Sequence, residues 1–172
     1  MGLLARRLIR DVADFPHEGI VFKDITPVLQ DAEAFREVLD RMLDYARSRQ
    51  ADAVAGVESR GFIFAAPLAV ALGVSFVPVR KLGKLPGETV RVEYALEYGT
   101  NTVEVQKDAL RPGQRVLIVD DLLATGGTSA AAAELVERLG GEVAGMLFMV
   151  ELGFLNGRAA LHRYDLCSLI EF

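Results

Sequence analysis

The segment of this chain that can do chemistry most specifically is Val116-Leu-Ile-Val-Asp-Asp-Leu-Leu-Ala-Thr-Gly-Gly-Thr128. A short apolar run leads into two adjacent carboxylates, then into a turn of small residues that opens a helix. The first turn of a helix exposes unpaired N–H groups and a partial positive charge, so Ala124, Thr125, Gly126, Gly127 and Thr128 can wrap a phosphate. The glycines permit close backbone approach and the threonines add hydroxyl donors. No Lys follows the glycines, which disfavours a Walker A nucleoside-triphosphate loop. Asp120 and Asp121 would repel a bare phosphate. They make sense if the ligand also carries hydroxyls, a cation or a developing positive charge. A ribose 5-phosphate offers this, with its phosphate in the loop and its ring hydroxyls on the two aspartates.

Other chemistry-bearing residues fall where apolar runs end. Glu58-Ser59-Arg60-Gly61 follows the run Ala53–Val57, and Arg80-Lys81 follows Val74–Val79. The elements that position them alternate. Ala32, Phe35, Val38, Leu39, Met42 and Leu43 recur at helical spacing behind Asp31, a good N-cap. Gly61–Leu72 and the Ala-rich Gly127–Leu139 read as helices, the second stopped by Gly140-Gly141. Val143–Val150 and Leu166–Ile170 are further apolar strands. Strands of this kind separated by helices imply an α/β fold with an open, mostly parallel twisted sheet covered on both faces. In such sheets ligands bind beyond the C-terminal strand ends. Three polar ends in one chain therefore point to one site.

Residues 80–107 break this rhythm. Gly83, Pro86, Gly87 and Gly99 exclude a helix, while Val90, Val92, Tyr94, Leu96 and Tyr98 alternate with Arg91, Glu93, Ala95 and Glu97. Val103 and Val105 resume the alternation after Gly99-Thr-Asn101. This predicts a β-hairpin with one apolar and one charged face, serving as a stabilising arm or as a lid.

Composition bounds the rest. A chain of 172 residues, 51% hydrophobic and 25% charged, holds one domain with ample core and excludes general disorder. A net charge of −5 lacks the basic field of a typical nucleic-acid binder. The uncharged run 61–79 is interrupted by Pro67, Gly73 and Pro78, so it reads as helix then strand and not as a membrane span. The charges that soon follow the short apolar opening stretch, Asp11 among them, argue against a signal peptide. The lone Cys167 forms no internal disulfide, which fits a cytoplasmic setting. His17 and His162 belong to no triad pattern, and no nucleophile elbow supports a hydrolase.

With these residues in hand, Val116–Thr128 resembles the phosphoribosyl-diphosphate signature of the type I phosphoribosyltransferases. The blocks Gly19-Ile-Val-Phe-Lys-Asp-Ile-Thr-Pro27, Glu58-Ser-Arg-Gly-Phe62, Arg80-Lys-Leu-Gly-Lys-Leu-Pro-Gly87, Leu96-Glu-Tyr-Gly99 and Gln106-Lys-Asp-Ala-Leu110 extend the likeness nearly end to end, toward the adenine-using branch. The resemblance implies one phosphoribosyltransferase domain over 1–172, with a hood formed by about 1–30 and 150–160 and a hairpin lid over about 80–107. It implies transfer of 5-phosphoribosyl from phosphoribosyl diphosphate to N9 of adenine, giving AMP and diphosphate.

Roles follow from the same resemblance. Ser59, Arg60, Arg80, Lys81 and Lys84 take up charge growing on diphosphate. Asp120 and Asp121 hold the ribose and favour its cationic state. Glu97 manages a proton on the base, and Tyr98 helps close the lid against water. Val21, Phe22, Lys23 and Leu155 form the base pocket. Lys23 stands where many members have Arg, and Glu58 where others have Asp. Mg2+ is carried mainly by the substrate's oxygens, with no metal site of the protein's own. A non-proline cis peptide at Glu58-Ser59 and a homodimer are also implied. Two other functions compete: transfer to a 6-oxopurine, which presents an acceptor where adenine presents a donor, and a non-catalytic sensor of phosphoribosyl diphosphate. The sensor would need a nucleic-acid-binding surface or an added domain, which neither the charge nor the length offers.

Overall fold

In the run from Ala53 to Val57 every residue is buried, and every strand of the central sheet is placed relative to it. The computed structural model describes residues 2–95 and 99–172. The chain packs as two compact units, 1–41 and 42–172.

In the first unit, helix α1 (Leu4–Leu8) precedes strands β1 (Arg10–Ala13) and β2 (Val21–Asp24), which pair antiparallel from Arg10↔Asp24 to Ala13↔Val21. Their link contains a cis Phe15–Pro16 bond, and Phe15 meets Phe22 edge-on at 5.1 Å. Ion pairs brace the ribbon, Arg10–Asp24 at 2.6 Å and Lys23–Asp11 at 2.7 Å. Helix α2 (Thr26–Gln30) follows, its Thr26 amide donating to Asp24 Oδ1. Helix α3 (Ala32–Arg49) starts in this unit and runs into the next. Asp31 caps it as the sequence predicts, accepting from the amides of Glu33 and Ala34 at 3.0 and 2.9 Å.

The second unit is a seven-stranded sheet: β3 (Ala53–Val57), β4 (Ser75–Lys81), β5 (Thr89–Ala95), β6 (Thr100–Gln106), β7 (Arg115–Leu123), β8 (Glu142–Glu151) and β9 (Leu166–Glu171), in the order β5-β6-β4-β3-β7-β8-β9. The five strands from β4 to β9 pair parallel, while β6 meets β4 and β5 antiparallel. The predicted α/β class with an open, mostly parallel sheet is what forms. Helices α4 (Gly61–Leu72) and α5 (Gly127–Arg138) cover opposite faces. Ala53, Ala55 and Val57 share a core cluster with Ala131, Ala132, Ala133, Leu135 and Val136 of α5. The intervening Gly56 instead faces α4, where a Cβ would stand 2.7 Å from that of Ala65. The charge-free run is thus helix α4 followed by β4, and no described helix is long and apolar enough to cross a membrane.

Two strand ends lie further along the chain than their apolar runs suggest. β4 runs on through Arg80 and Lys81, and β7 continues past Val119 to Leu123, pairing Asp120 with Phe148 and Leu122 with Val150 of β8. The reason is the ladder: β8 supplies partners to the end of β7, whatever the side chains there. The hairpin forms as predicted, and its apolar face (Val92, with Val90 and Tyr94) packs into the cluster containing α5. The described part is therefore an integral edge of the sheet. Leu96, Glu97 and Tyr98 lie outside the described residues.

Candidate active site

The polar ends of β3, β4 and β7 converge. After Val57 the chain turns through a cis Glu58–Ser59 peptide into Arg60 and α4. The Glu58 carboxylate, largely buried, accepts from Arg80 Nε at 3.1 Å, Arg80 Nη2 at 3.3 Å and the Lys81 amide at 3.0 Å. Burial alone would raise this carboxyl, but the Arg80 guanidinium and the Lys81 amide hold it below the usual value. The β3 turn and the end of β4 are thereby tied together.

On β7 the two aspartates have different surroundings, as the two-residue period of a strand requires. Asp121 is 4% exposed, and its Oδ2 lies 2.6 Å from Arg60 Nε. Asp120 Oδ1 accepts the Asp121 amide at 2.8 Å. Burial, then the neighbouring Asp121 charge, pushes the Asp120 carboxyl well above the ordinary range. A positive charge brought near this pair would relieve both effects.

Beyond β7, residues Ala124–Thr128 enclose a cradle of about 80 Å³ at the start of α5. Gly126 adopts φ +86°, open to glycine, and a Cβ there would lie 2.7 Å from the Gly157 carbonyl. Gly157 opens the short helix α6 (Gly157–Ala160), which follows a 3-10 turn at Gly153–Leu155. A Cβ on Gly157 would in turn meet the Ala124 carbonyl. The two cradle glycines are thus not equivalent. Gly126 is needed for packing on α6, whereas a Cβ on Gly127 would find ordinary contact, 3.5 Å from Tyr94.

A cavity of about 400 Å³ adjoins the cradle, with Ser59, Arg60, Lys81, Asp120, Asp121 and Thr128 among its lining residues. These six predicted residues come together. Arg80 and Lys84 are absent from that lining: Arg80 is turned to Glu58, and its Nη1 donates to the Lys84 carbonyl at 2.9 Å. In this structure the Glu58 carboxylate holds the Arg80 guanidinium beside the cavity and not in its lining. Val21, Phe22 and Lys23 form β2 of the first unit, where Val21 is exposed and Lys23 pairs with Asp11. Leu155 ends the 3-10 turn of the second unit. Glu97 and Tyr98 fall outside the described residues.

The sequence did not single out Tyr94. Its ring lies on the apolar face of the hairpin, and its hydroxyl accepts from Thr128 Oγ1 at 3.0 Å, so it lines the cavity. The available signal was a tyrosine on an apolar face, whose hydroxyl must find a partner. Among the described residues no group of three or more His, Cys, Asp or Glu is placed to hold a metal ion.

Comparison with known proteins gives this geometry a context. Residues 26–158 match the family model of the phosphoribosyl transferase domain. The chain is 57% identical over 165 residues to the adenine phosphoribosyltransferase of Chloroflexus aurantiacus, covering 96% of this chain and 95% of that protein. The crystal structure of adenine phosphoribosyltransferase from Thermoanaerobacter pseudethanolicus superposes with a TM-score of 0.95 at 56% identity, covering 98% of each chain. The Saccharomyces cerevisiae enzyme, complexed with an imino-altritol bisphosphate and adenine, superposes with a TM-score of 0.90 at 42% identity, covering 96% of each.

Proposed function

This chain belongs to the phosphoribosyltransferase family, and from that premise we propose how it transfers 5-phosphoribosyl from phosphoribosyl diphosphate to N9 of adenine, releasing AMP and diphosphate. The observation that carries the scheme is the adjacency of cradle and cavity, with Asp120 and Thr128 lining both.

The 5-phosphate lies in the Ala124–Thr128 cradle, held by backbone N–H groups at the start of α5 and by the Thr125 and Thr128 hydroxyls. Asp120 and Asp121 accept from the ribose hydroxyls. As the bond from C1 to the diphosphate oxygen lengthens, C1 becomes cationic. That charge favours the ionised form of Asp120, which burial and the neighbouring Asp121 charge otherwise disfavour. The diphosphate gathers negative charge against Ser59, Arg60 and Lys81, while Arg80 acts through Glu58 and Lys84 flanks the same turn. N9 of the base then bonds to C1, and the base loses a proton to Glu97. Tyr98 shields the cation from water. Family likeness assigns Val21, Phe22 and Lys23, and separately Leu155, to purine binding, and the lid and hood assignments rest on the same likeness.

Magnesium suits this donor set as a substrate-borne ion. The carboxylates of Glu58 and Asp121 are already engaged by Arg80 and Arg60, which leaves the diphosphate oxygens to hold it. Bound there, it neutralises charge on the leaving group. Family membership also supports a homodimer, which light scattering on the eluting protein tests, and a cytoplasmic setting.

The reaction is tested by incubating the protein with phosphoribosyl diphosphate, magnesium and adenine, hypoxanthine or guanine, and weighing the products. AMP from adenine is expected. Preferential product from a 6-oxopurine would overturn the specificity, and no nucleotide from any base would overturn the activity.

A further inference from the structure

Glu104 is a buried acid to which the reaction scheme gives no task. It sits on β6, paired with Arg80 of β4 on one side and Arg91 of β5 on the other, and is 3% exposed. Its Oε1 accepts the amides of Gly83, Lys84 and Leu85 at 2.9, 3.2 and 3.3 Å, and its Oε2 accepts the Thr89 hydroxyl at 3.0 Å. Burying a carboxylate is costly unless its oxygens are filled. Here they are filled by three successive backbone N–H groups of one turn and by the residue where that turn rejoins the sheet. Burial would raise this carboxyl, and the Thr89 hydroxyl with the three amides holds it below its usual value. The turn so gathered carries Lys84, whose carbonyl accepts Arg80 Nη1 at 2.9 Å. Arg80 in turn grips Glu58, which precedes Ser59 and Arg60 and also receives the Lys81 amide. A continuous set of hydrogen bonds thus runs from Glu104 to the basic wall of the cavity.

We propose that Glu104 is a positioning residue for the diphosphate end of the site: by templating the turn from Gly83 to Thr89 it sets Arg80 on Glu58, and through them the placement of Lys81 and of Ser59-Arg60. This rests on the reading that those groups face diphosphate. Diphosphate belongs to phosphoribosyl diphosphate, and no residue assigned to the base lies in this turn, so the effect of losing Glu104 falls on that substrate and not on adenine.

The test compares E104A and E104Q with the wild type, using E88Q on the same hairpin as control. Initial rates are measured with each substrate varied, and trypsin cleavage after Lys81 and Lys84 is followed without substrate. E104A is expected to raise KM for phosphoribosyl diphosphate about tenfold, since displacements near 1 Å in a positioning group have effects of that order or larger. The adenine KM should stay within about twofold, and cleavage in the turn should accelerate. E104Q keeps one oxygen for the three amides and should show a smaller change in the same direction, whereas E88Q should match wild type. If E104A does not fold, E104Q carries the test. A folded E104Q with wild-type KM for phosphoribosyl diphosphate and wild-type cleavage would overturn the proposal, as would an equal rise in both KM values. A wild-type protein without turnover would instead sink the functional reading, while cleavage would still report whether Glu104 holds the turn.

Discussion

Asp120 Oδ1 occupies the space beside Gly61 where a side chain would begin: a Cβ on Gly61 would stand 2.8 Å from that oxygen and 2.9 Å from the Val119 carbonyl. The first residue of α4 is therefore a glycine because β7 passes directly against it. Gly61→Ala gains helix propensity, yet should displace Asp120. We predict a loss of about 1–3 kcal/mol in stability from overpacking and a fall of at least tenfold in kcat/KM for phosphoribosyl diphosphate. Denaturant unfolding and steady-state kinetics check the two; an alanine variant with full activity would remove the steric account of the site.

Asp120→Asn should stabilise the protein while impairing it. The carboxyl is raised in the folded state by burial and by Asp121. A raised acid costs stability as pH climbs above its unfolded value near 4 and toward its folded value. Asparagine escapes that cost and keeps an oxygen for the Asp121 amide. The gain at pH 7 is expected to be about 1 kcal/mol or more, a few degrees in Tm, shrinking to nothing below about pH 4. Activity should drop about a hundredfold. Melting curves across pH 4–8 would show whether the gain follows this course.

Gly126 and Gly127 should separate folding from binding. Gly126→Ala meets both a left-handed φ and the Gly157 carbonyl, and should cost about 2 kcal/mol. Gly127→Ala should fold normally, because its methyl makes ordinary contact with Tyr94, but it intrudes on the anion's approach. Calorimetric titration with phosphoribosyl diphosphate should show weaker affinity for Gly127→Ala. Unchanged affinity there would mean the phosphate does not lie in this cradle.

Tyr94 and Thr128 share a hydrogen bond that a phosphate would compete for. Tyr94→Phe leaves the Thr128 hydroxyl available, so KM for phosphoribosyl diphosphate should change by less than about threefold while stability falls by about 1 kcal/mol. Thr128→Val removes the donor itself and should raise that KM about tenfold. Equal kinetic effects from the two variants would contradict a donating role for Thr128.

Arg158 lies on α6, the short helix that packs against Gly126 of the cradle through Gly157 and Ala160. It holds the buried Glu151 through two hydrogen bonds of 2.7 Å, and Ser168 donates to the same carboxylate. Burial would raise Glu151, but Arg158 and Ser168 keep it below its usual value. A lowered acid contributes stability above its unfolded pKa and loses that contribution as pH falls through its folded one. Arg158 is half exposed while Glu151 is buried, so Arg158→Ala should destabilise by about 1–2 kcal/mol at pH 7, the cost of a buried carboxylate losing a partly solvated partner. The deficit should narrow below about pH 4. Because α6 backs Gly126, phosphate affinity should weaken too.

The sheet and the cradle were legible because local pattern decides them. Ala53–Val57 and Val116–Val119 are wholly apolar, and Asp31 caps α3 with its own side chain. The β1–β2 ribbon was not legible: Arg10–Ala13 and Val21–Asp24 carry little apolar alternation and are braced by ion pairs across the ribbon. The extension of β7 through Asp120–Leu123 depends on β8, and the commitment of Arg80 to Glu58 depends on a contact 22 residues away. Tyr94 was read for its ring and not for its hydroxyl. Each of these is a pairing between distant segments, which spacing along one segment does not encode.

The continuity of β7 into the cradle has a metric consequence. The acids proposed to receive the sugar and the loop proposed to receive its phosphate ride on one uninterrupted piece of backbone, whose β7 part is paired from Asp120↔Phe148 to Leu123↔Glu151. Their separation is set by a few covalently linked residues of one chain segment. The site therefore works as a ruler, and a sugar phosphate with one carbon more or fewer between ring and phosphoryl group would satisfy one end of it at the expense of the other.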